Sequence, residues 1–157
     1  MLESFRDLEG TNSYPIILMM RNIFSEIYLV GGAVRDGVLA METHDLDFAV
    51  PYSPDQISST LESNGLTVRK NAEKFGTIST SAGLYDIQIT SYRSEQYGND
   101  SRKPSVELIT DIDSDLSRRD FTVNAMALGD EFIDPYDGFG DINRKLIRAV
   151  GNAAQKM

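Results

Sequence analysis

Apolar residues along this chain recur at two different periods, and the change of period marks its elements. Ile16, Met20 and Ile23 fall at helical spacing behind Ser13 and Pro15, so a capped helix is expected to run to about Phe24. Ile27 to Val30 is a short apolar run closed by Gly31-Gly32 and reads as a strand, and Ala33 to Ala40 has helix-compatible composition. In Asp45 to Val50 the pattern alternates, with Leu46, Phe48 and Val50 on one face and Asp45, Asp47 and Ala49 on the other, as strand side chains do. Ser53-Pro-Asp-Gln56 is a capping box with proline at the first helical position, and Asn64-Gly65 closes that helix. Thr67 to Arg69, Phe75 to Ser81 and Tyr85 to Tyr92 read as strands, the last two joined by a hairpin around Ala82-Gly83.

Further along, Glu95 to Pro104 is rich in Ser, Gly, Asn and charge and predicts a loop, whereas Asp113 to Leu128 predicts a mainly helical stretch. Glu131 to Asp134 reads as a short extended piece, Pro135 to Gly140 as a turn, and Asp141 to Leu146 as a helical turn before Ile147 to Val150. Residues 1 to 12 read as a loose arm. Early strands, a central hairpin and helices distributed around them predict an α+β domain with one mixed β-sheet flanked by helices. No Pro/Gly-rich spacer divides the apolar segments, so residues 1–157 are expected to form one domain.

Composition narrows the chemistry. Apolar content of 41% and charged content of 25% are those of an ordinary globular chain, and the longest apolar run, Ile16 to Met20, is far too short to span a bilayer. Acidic residues stand near the amino terminus where a secretory signal carries a basic start, so a cytoplasmic protein without membrane partners is expected. The absence of cysteine excludes disulfides, thiolate zinc sites and cysteine nucleophiles, and the single histidine, His44, cannot build a multi-histidine metal site. Metal chemistry must rest on oxygen ligands. A net charge of -9 argues against a stand-alone nucleic-acid binder but leaves room for a nucleic-acid enzyme, because basic residues are locally dense at Arg118-Arg119 and from Arg144-Lys145 to Arg148.

Two constellations carry candidate chemistry. Gly31-Gly32 sits at a strand-to-helix turn, where free backbone N–H groups can face an anion, and Asp45 and Asp47 project from one strand face toward a hard cation such as Mg²⁺. A lone Gly-Gly is usually only a turn, and a lone Asp-x-Asp usually a solvated edge. Within the expected helix of the second constellation, Asp115 lies in reach of Arg118 and Arg119, and Asp120 lies one turn from Asn124. A charge-laced surface helix would look the same pair by pair. Guanidinium groups beside Phe121, Val123 and Met126 would nonetheless suit a triphosphate, and the Asn124 amide a ribose hydroxyl.

In order along the chain, Tyr28-Leu-Val-Gly-Gly-Ala-Val-Arg-Asp36 with Asp45-Leu-Asp47, then Arg118-Arg-Asp-Phe-Thr-Val-Asn-Ala125, then Asp134-Pro-Tyr-Asp-Gly-Phe-Gly-Asp141 with Ile147-Arg148 and Val150-Gly151, resemble the signatures of the class II tRNA nucleotidyltransferases (CCA-adding enzymes) and bacterial poly(A) polymerases. Lys74-Phe-Gly-Thr77, Arg93-Ser-Glu-Gln-Tyr97 and Arg102-Lys-Pro104 resemble the strand and flexible loop between those signatures. The resemblance implies a polymerase-β-like nucleotidyltransferase head domain, with Asp45 and Asp47 as the catalytic residues that bind Mg²⁺. It implies that Gly32 and Arg35 hold the nucleotide within the cradle begun by Gly31, that Arg119 also contacts it, and that Arg118, Asp120 and Asn124 belong to the same motif. The implied reaction is Mg²⁺-assisted transfer of CMP or AMP from CTP or ATP to the 3′-hydroxyl of tRNA or another RNA. Poly(A) polymerase and a catalytically silent nucleotide-binding domain remain the alternatives.

Two departures qualify the resemblance. Where the family carries a third acid, five residues before Arg93, this chain has Gln88, and Asp86 on the same strand face is the candidate substitute metal ligand. The base-selecting Glu-Asp-x-x-Arg motif of the family's neck does not occur in the 157 residues, so the expectation is a catalytic head without neck, body and tail, with a separate neck or body polypeptide as a further partner.

Overall fold

The computed structural model describes residues 2–70, 76–97, 104–108 and 111–151. Strands β1 (Tyr28–Val30), β2 (Asp45–Val50), β3 (Arg69–Lys70), β4 (Thr77–Ala82), β5 (Tyr85–Ser91), β8 (Ala127–Leu128) and β9 (Phe132–Ile133) form one sheet in the order β3-β4-β5-β2-β1-β8-β9. The β2–β5 pair is parallel and the others antiparallel, which makes the sheet mixed, as expected. A separate two-stranded ribbon pairs β6 (Arg93–Tyr97) with β7 (Pro104–Leu108). Helices α1 (Tyr14–Ile23), α2 (Gly32–Val38), α3 (Pro54–Ser63), α4 (Ile112–Ser117) and α5 (Gly138–Asn143) surround the sheet.

The alternation read in the sequence decides which face of the sheet each helix covers. Leu46, Phe48 and Val50 of β2 join Leu29, Ile87 and Ile89 in a core closed by Ile17 and Met20 of α1, Ala33 and Val34 of α2, and Ile57 and Leu61 of α3. Ala49 points the other way, into a second cluster with Val30, Ala127, Tyr92 and Val150 that Ile112 and Leu116 of α4 cover. On that second face β2 is apolar and roofed at its end but acidic and exposed at its start, because Asp45 and Asp47 lie beyond the reach of the six-residue α4. Burial of this kind, at roughly 25 cal/mol per Å², holds the roof in place. Ser53 and Gln56 close the expected capping box at 3.2 and 2.9 Å, and Gly65 ends α3 with φ +78°.

Several expectations are corrected. The amino-terminal arm is not loose. Leu2, Phe5 and Leu8 recur at the three-residue period of a 3-10 turn over Phe5–Leu8, all three are buried, and the turn is capped by Ser4. Ser13 starts α1 by position but makes no side-chain cap bond. The stretch from Asp113 to Leu128 is helical only in α4; the chain then turns extended, makes one 3-10 turn over Thr122–Asn124, and enters β8. The cause is a non-local pairing: Phe121 bridges Ala149, Thr122 N–H donates to the Arg148 carbonyl at 3.0 Å, and Val150 N–H donates to the Asp120 carbonyl at 3.0 Å. The predicted loop from Glu95 to Pro104 is instead bordered by the β6–β7 ribbon, with residues 98–103 outside the described set. The predicted turn from Pro135 to Gly140 gives way to α5 at Gly138, because Asp134 accepts from the N–H groups of Gly138 and Phe139 at 2.7 and 3.0 Å. Lys74, Phe75 and Arg102 also lie outside the described residues. No helix among the described residues is long and apolar enough to cross a membrane.

Candidate active site

The site is assembled where β1 ends and β2 begins. Because the two strands run antiparallel with Val30 opposite Asp47, the glycine turn after Val30 lies across from the acidic start of β2. Gly31 has φ +68° and ψ -139°, a conformation that L side chains rarely adopt, and its carbonyl accepts from Val34 and Arg35 N–H at 3.1 and 3.2 Å to start α2. A side-chain carbon at Gly31 would stand 3.5 Å from Arg119 Nη1 and 3.9 Å from Asp47 Oδ2. Three chain segments, carrying Gly31, Asp47 and Arg119, therefore converge on one point.

A second convergence adjoins it. Arg35 folds back over Gly32, where an added side-chain carbon would lie 3.2 Å from Arg35 Nη2, and its Nη1 donates to Asn124 Oδ1 at 3.1 Å. Arg35 thereby ties α2 to the 3-10 turn that presents Asn124. With only seven residues in α2, the dipole at its start is small, and attraction for an anion rests on the guanidinium groups of Arg35 and Arg119. Arg118 and Arg119 share the carboxylate of Asp115, at 3.4 and 3.2 Å. Asp120 is exposed, and its backbone serves the pairing with Val150 rather than a helix running to Asn124.

The parallel register resolves the acids on β5. Asp86 is opposite Asp45, and Gln88 is opposite Asp47, so the amide stands where a third carboxylate would lie closest to Asp47. Among the described residues no three His, Cys, Asp or Glu side chains converge as a ready-made metal cluster. Asp45 and Asp47 remain a pair of exposed carboxylates on one strand face, with oxygen donors of the type a hard divalent cation takes.

Two polar networks centred on buried residues lie in the neighbouring elements, and neither was assigned a site role from the sequence. Asp141 is fully buried, accepts from the Thr122 hydroxyl at the start of the Asn124 turn, and is flanked by Arg144 Nη1 at 2.6 Å and Arg148 Nε at 3.1 Å. The Thr122 hydrogen bond, then the two guanidinium groups, hold its carboxyl below the usual carboxylate range. Tyr92, buried under α4, donates to Glu26 Oε2 at 3.1 Å; burial above all, and then the Glu26 charge, push its hydroxyl well above the ordinary tyrosine value. The sequence signal for Asp141 was an acid three and seven residues before two arginines, and it is legible only once the helix is known.

The chain belongs to the Poly A polymerase head domain family, whose sequence profile matches residues 27–148 and so takes in the glycine turn, the acids of β2 and the arginine pair. It is 36% identical over 149 residues to a CCA-adding enzyme of Lactobacillus delbrueckii subsp. bulgaricus, an alignment covering 93% of this chain and 37% of that protein. Its fold superposes on the crystal structure of the Bacillus stearothermophilus CCA-adding enzyme in complex with CTP with a TM-score of 0.73 and 28% identity, over 90% of this chain and 35% of the other. It also matches a tRNA nucleotidyltransferase complexed with a primer tRNA and an incoming ATP analog, with a TM-score of 0.61 and 30% identity, over 80% and 35% of the two chains. The chain thus spans a little over a third of the length of the CCA-adding enzyme it matches.

Proposed function

We propose that this chain is the nucleotidyl-transfer head of an enzyme that adds CMP and AMP, from CTP and ATP, to the 3′ end of tRNA. The observation that carries the reading is the meeting of Gly31, Asp47 and Arg119 at one point, since nucleotidyl transfer needs a carboxylate and a phosphate-binding cation within the length of one triphosphate. Arg119 and Arg35 bind the phosphate oxygens, and Asn124, held by Arg35, faces the sugar. Gly31 and Gly32 let the chain pass close beneath the phosphates. In the reaction the RNA 3′-oxygen forms a bond to the α-phosphorus as the bond to pyrophosphate breaks, and positioning supplies most of the acceleration.

The donor set fits Mg²⁺. Asp45 and Asp47 would hold it, with Asp86 next to Asp45 in register; a bound Mg²⁺ would offset the charge that builds on the α-phosphate and the departing pyrophosphate. A reading as a silent nucleotide-binding domain draws on one observation, the neutral Gln88 opposite Asp47. Incubating the enzyme that carries this head with Mg²⁺, labelled CTP or ATP and tRNA lacking its terminal CCA separates the readings. Addition of C, C and A that Asp47→Ala abolishes is the expected result, a long A tract would mean poly(A) synthesis, and nucleotide binding without any incorporation would overturn the transfer reading.

A further inference from the structure

Asp115 is a fully buried charge beside the site and has no place in the transfer chemistry just described. Its residue is fully inaccessible, on an α4 whose Ile112 and Leu116 are seated in the second apolar cluster. One carboxylate oxygen takes Arg118 Nη2 at 3.4 Å and the other takes Arg119 Nη2 at 3.2 Å, so one acid is forked between two cations. The guanidinium groups themselves are largely covered, with side-chain exposures of 21% for Arg118 and 18% for Arg119. Their Nε atoms are buried and have no hydrogen-bond partner among the described residues. A buried unmatched donor is costly unless another group satisfies it.

The geometry of Arg119 shows what the fork accomplishes. Nη2 is held from behind by Asp115, while Nη1 points to the Gly31 turn, 3.5 Å from where a side-chain carbon there would sit. An arginine left to itself beside the exposed acids of β2 could swing onto them and offset one of their two charges. Asp115 removes that freedom from the rear.

We infer that Asp115 is a positioning residue for the triphosphate: its carboxylate sets the aim of Arg119 and keeps that guanidinium off the metal-binding acids. The inference rests on the nucleotide-site reading above. Its specific content is that α4 acts through Asp115, without touching the ligand, and that the effect travels through Arg119. The loss of one charge-assisted hydrogen bond behind the guanidinium corresponds to roughly tenfold weaker triphosphate binding.

Calorimetry with CTP and ATP in Mg²⁺, on the wild type, Asp115→Asn, Arg119→Ala and the double variant, tests it. Asp115→Asn is expected to weaken both nucleotides about tenfold, to leave binding of the free nucleosides unchanged, and to add nothing once Arg119 is already alanine. Nuclear magnetic resonance of the arginine Nε–H groups supplies a readout that needs no ligand: the Arg119 signal should be sharp in the wild type and broadened in Asp115→Asn. Should Asp115→Asn fail to fold, Asp115→Glu takes its place, keeping the charge but displacing the fork by one methylene, with the same pattern expected. A melting temperature that falls while nucleotide affinity and the Arg119 signal stay unchanged would overturn the positioning role and leave the site reading intact. Failure of the folded wild type to bind any nucleoside triphosphate would overturn the site reading and this inference with it.

Discussion

At the scale of single residues, the site depends on two features that demand opposite things of the side chain. Asp45 and Asp47 must carry charge into solvent, and replacing either with alanine should lower nucleotide transfer by about a thousandfold or more while leaving the circular dichroism spectrum unchanged. Gly31 must carry nothing. Gly31→Ala forces an alanine to φ +68° and places its carbon 3.5 Å from Arg119, so the variant should lose about 1–2 kcal/mol of stability in urea titrations and bind triphosphates more weakly. Arg119→Ala should weaken all four nucleoside triphosphates alike, because a guanidinium reads phosphate oxygens and not bases; loss of CTP binding with ATP binding preserved would contradict that. These residues were visible in the sequence because strand alternation and a glycine pair are local signals. Asp115 was seen as a neighbour of two arginines, but its burial, which gives it consequence, comes from a helix seated across a sheet.

At the scale of elements, α4 and the 3-10 turn after it carry half the site on very little structure. Leu116→Ala and Leu61→Ala each empty a fully buried position and should each cost about 2–5 kcal/mol. Only the first should also impair triphosphate binding, since α4 carries Asp115 and leads directly into the arginine pair whereas α3 does neither; equal impairment would show that the site responds to general loosening. The Asn124 turn is anchored by Asp141, whose carboxyl is held below its usual range by Thr122, Arg148 and Arg144. A depressed folded-state value stabilises the protein above the ordinary carboxylate pKa of about 3.9 and is lost as pH falls through the folded value. Asp141→Asn should therefore be less stable than wild type at neutral pH, and its melting temperature should decline less steeply below about pH 4. The break after α4 could not be read locally. Asp120 to Asn124 sits in a stretch of helix-compatible spacing, and what draws it out of the helix is pairing with Arg148 to Val150. The arm at residues 2–8 was missed for the opposite reason, since its three-residue period is too short to register as helix or strand.

At the scale of the molecule, charge and topology set what the head can do. A net charge of -9 leaves little attraction for an RNA backbone, and fluorescence anisotropy with a single-stranded RNA at physiological salt should give a dissociation constant weaker than about 0.1 mM. Tight binding by this chain would mean that Arg118, Arg119 and the Arg144–Arg148 segment form a stronger basic track than the exposed acids permit. The mixed sheet itself was anticipated from the order of apolar segments, whereas its strand order was not, because β1 takes one neighbour from the nearby β2 and the other from the distant β8. That placement has a consequence for synthesis. While the ribosome is still translating the middle of the chain, β1 lacks its β8 neighbour and the glycine turn lacks Arg119; residues 127–133 must emerge before the sheet can close, and Val150 before the cluster under α4 is complete. The nascent polypeptide thus displays Asp45 and Asp47 well before Arg119 and its supporting helix can be set over the glycine turn, so the two halves of the site are completed at different times.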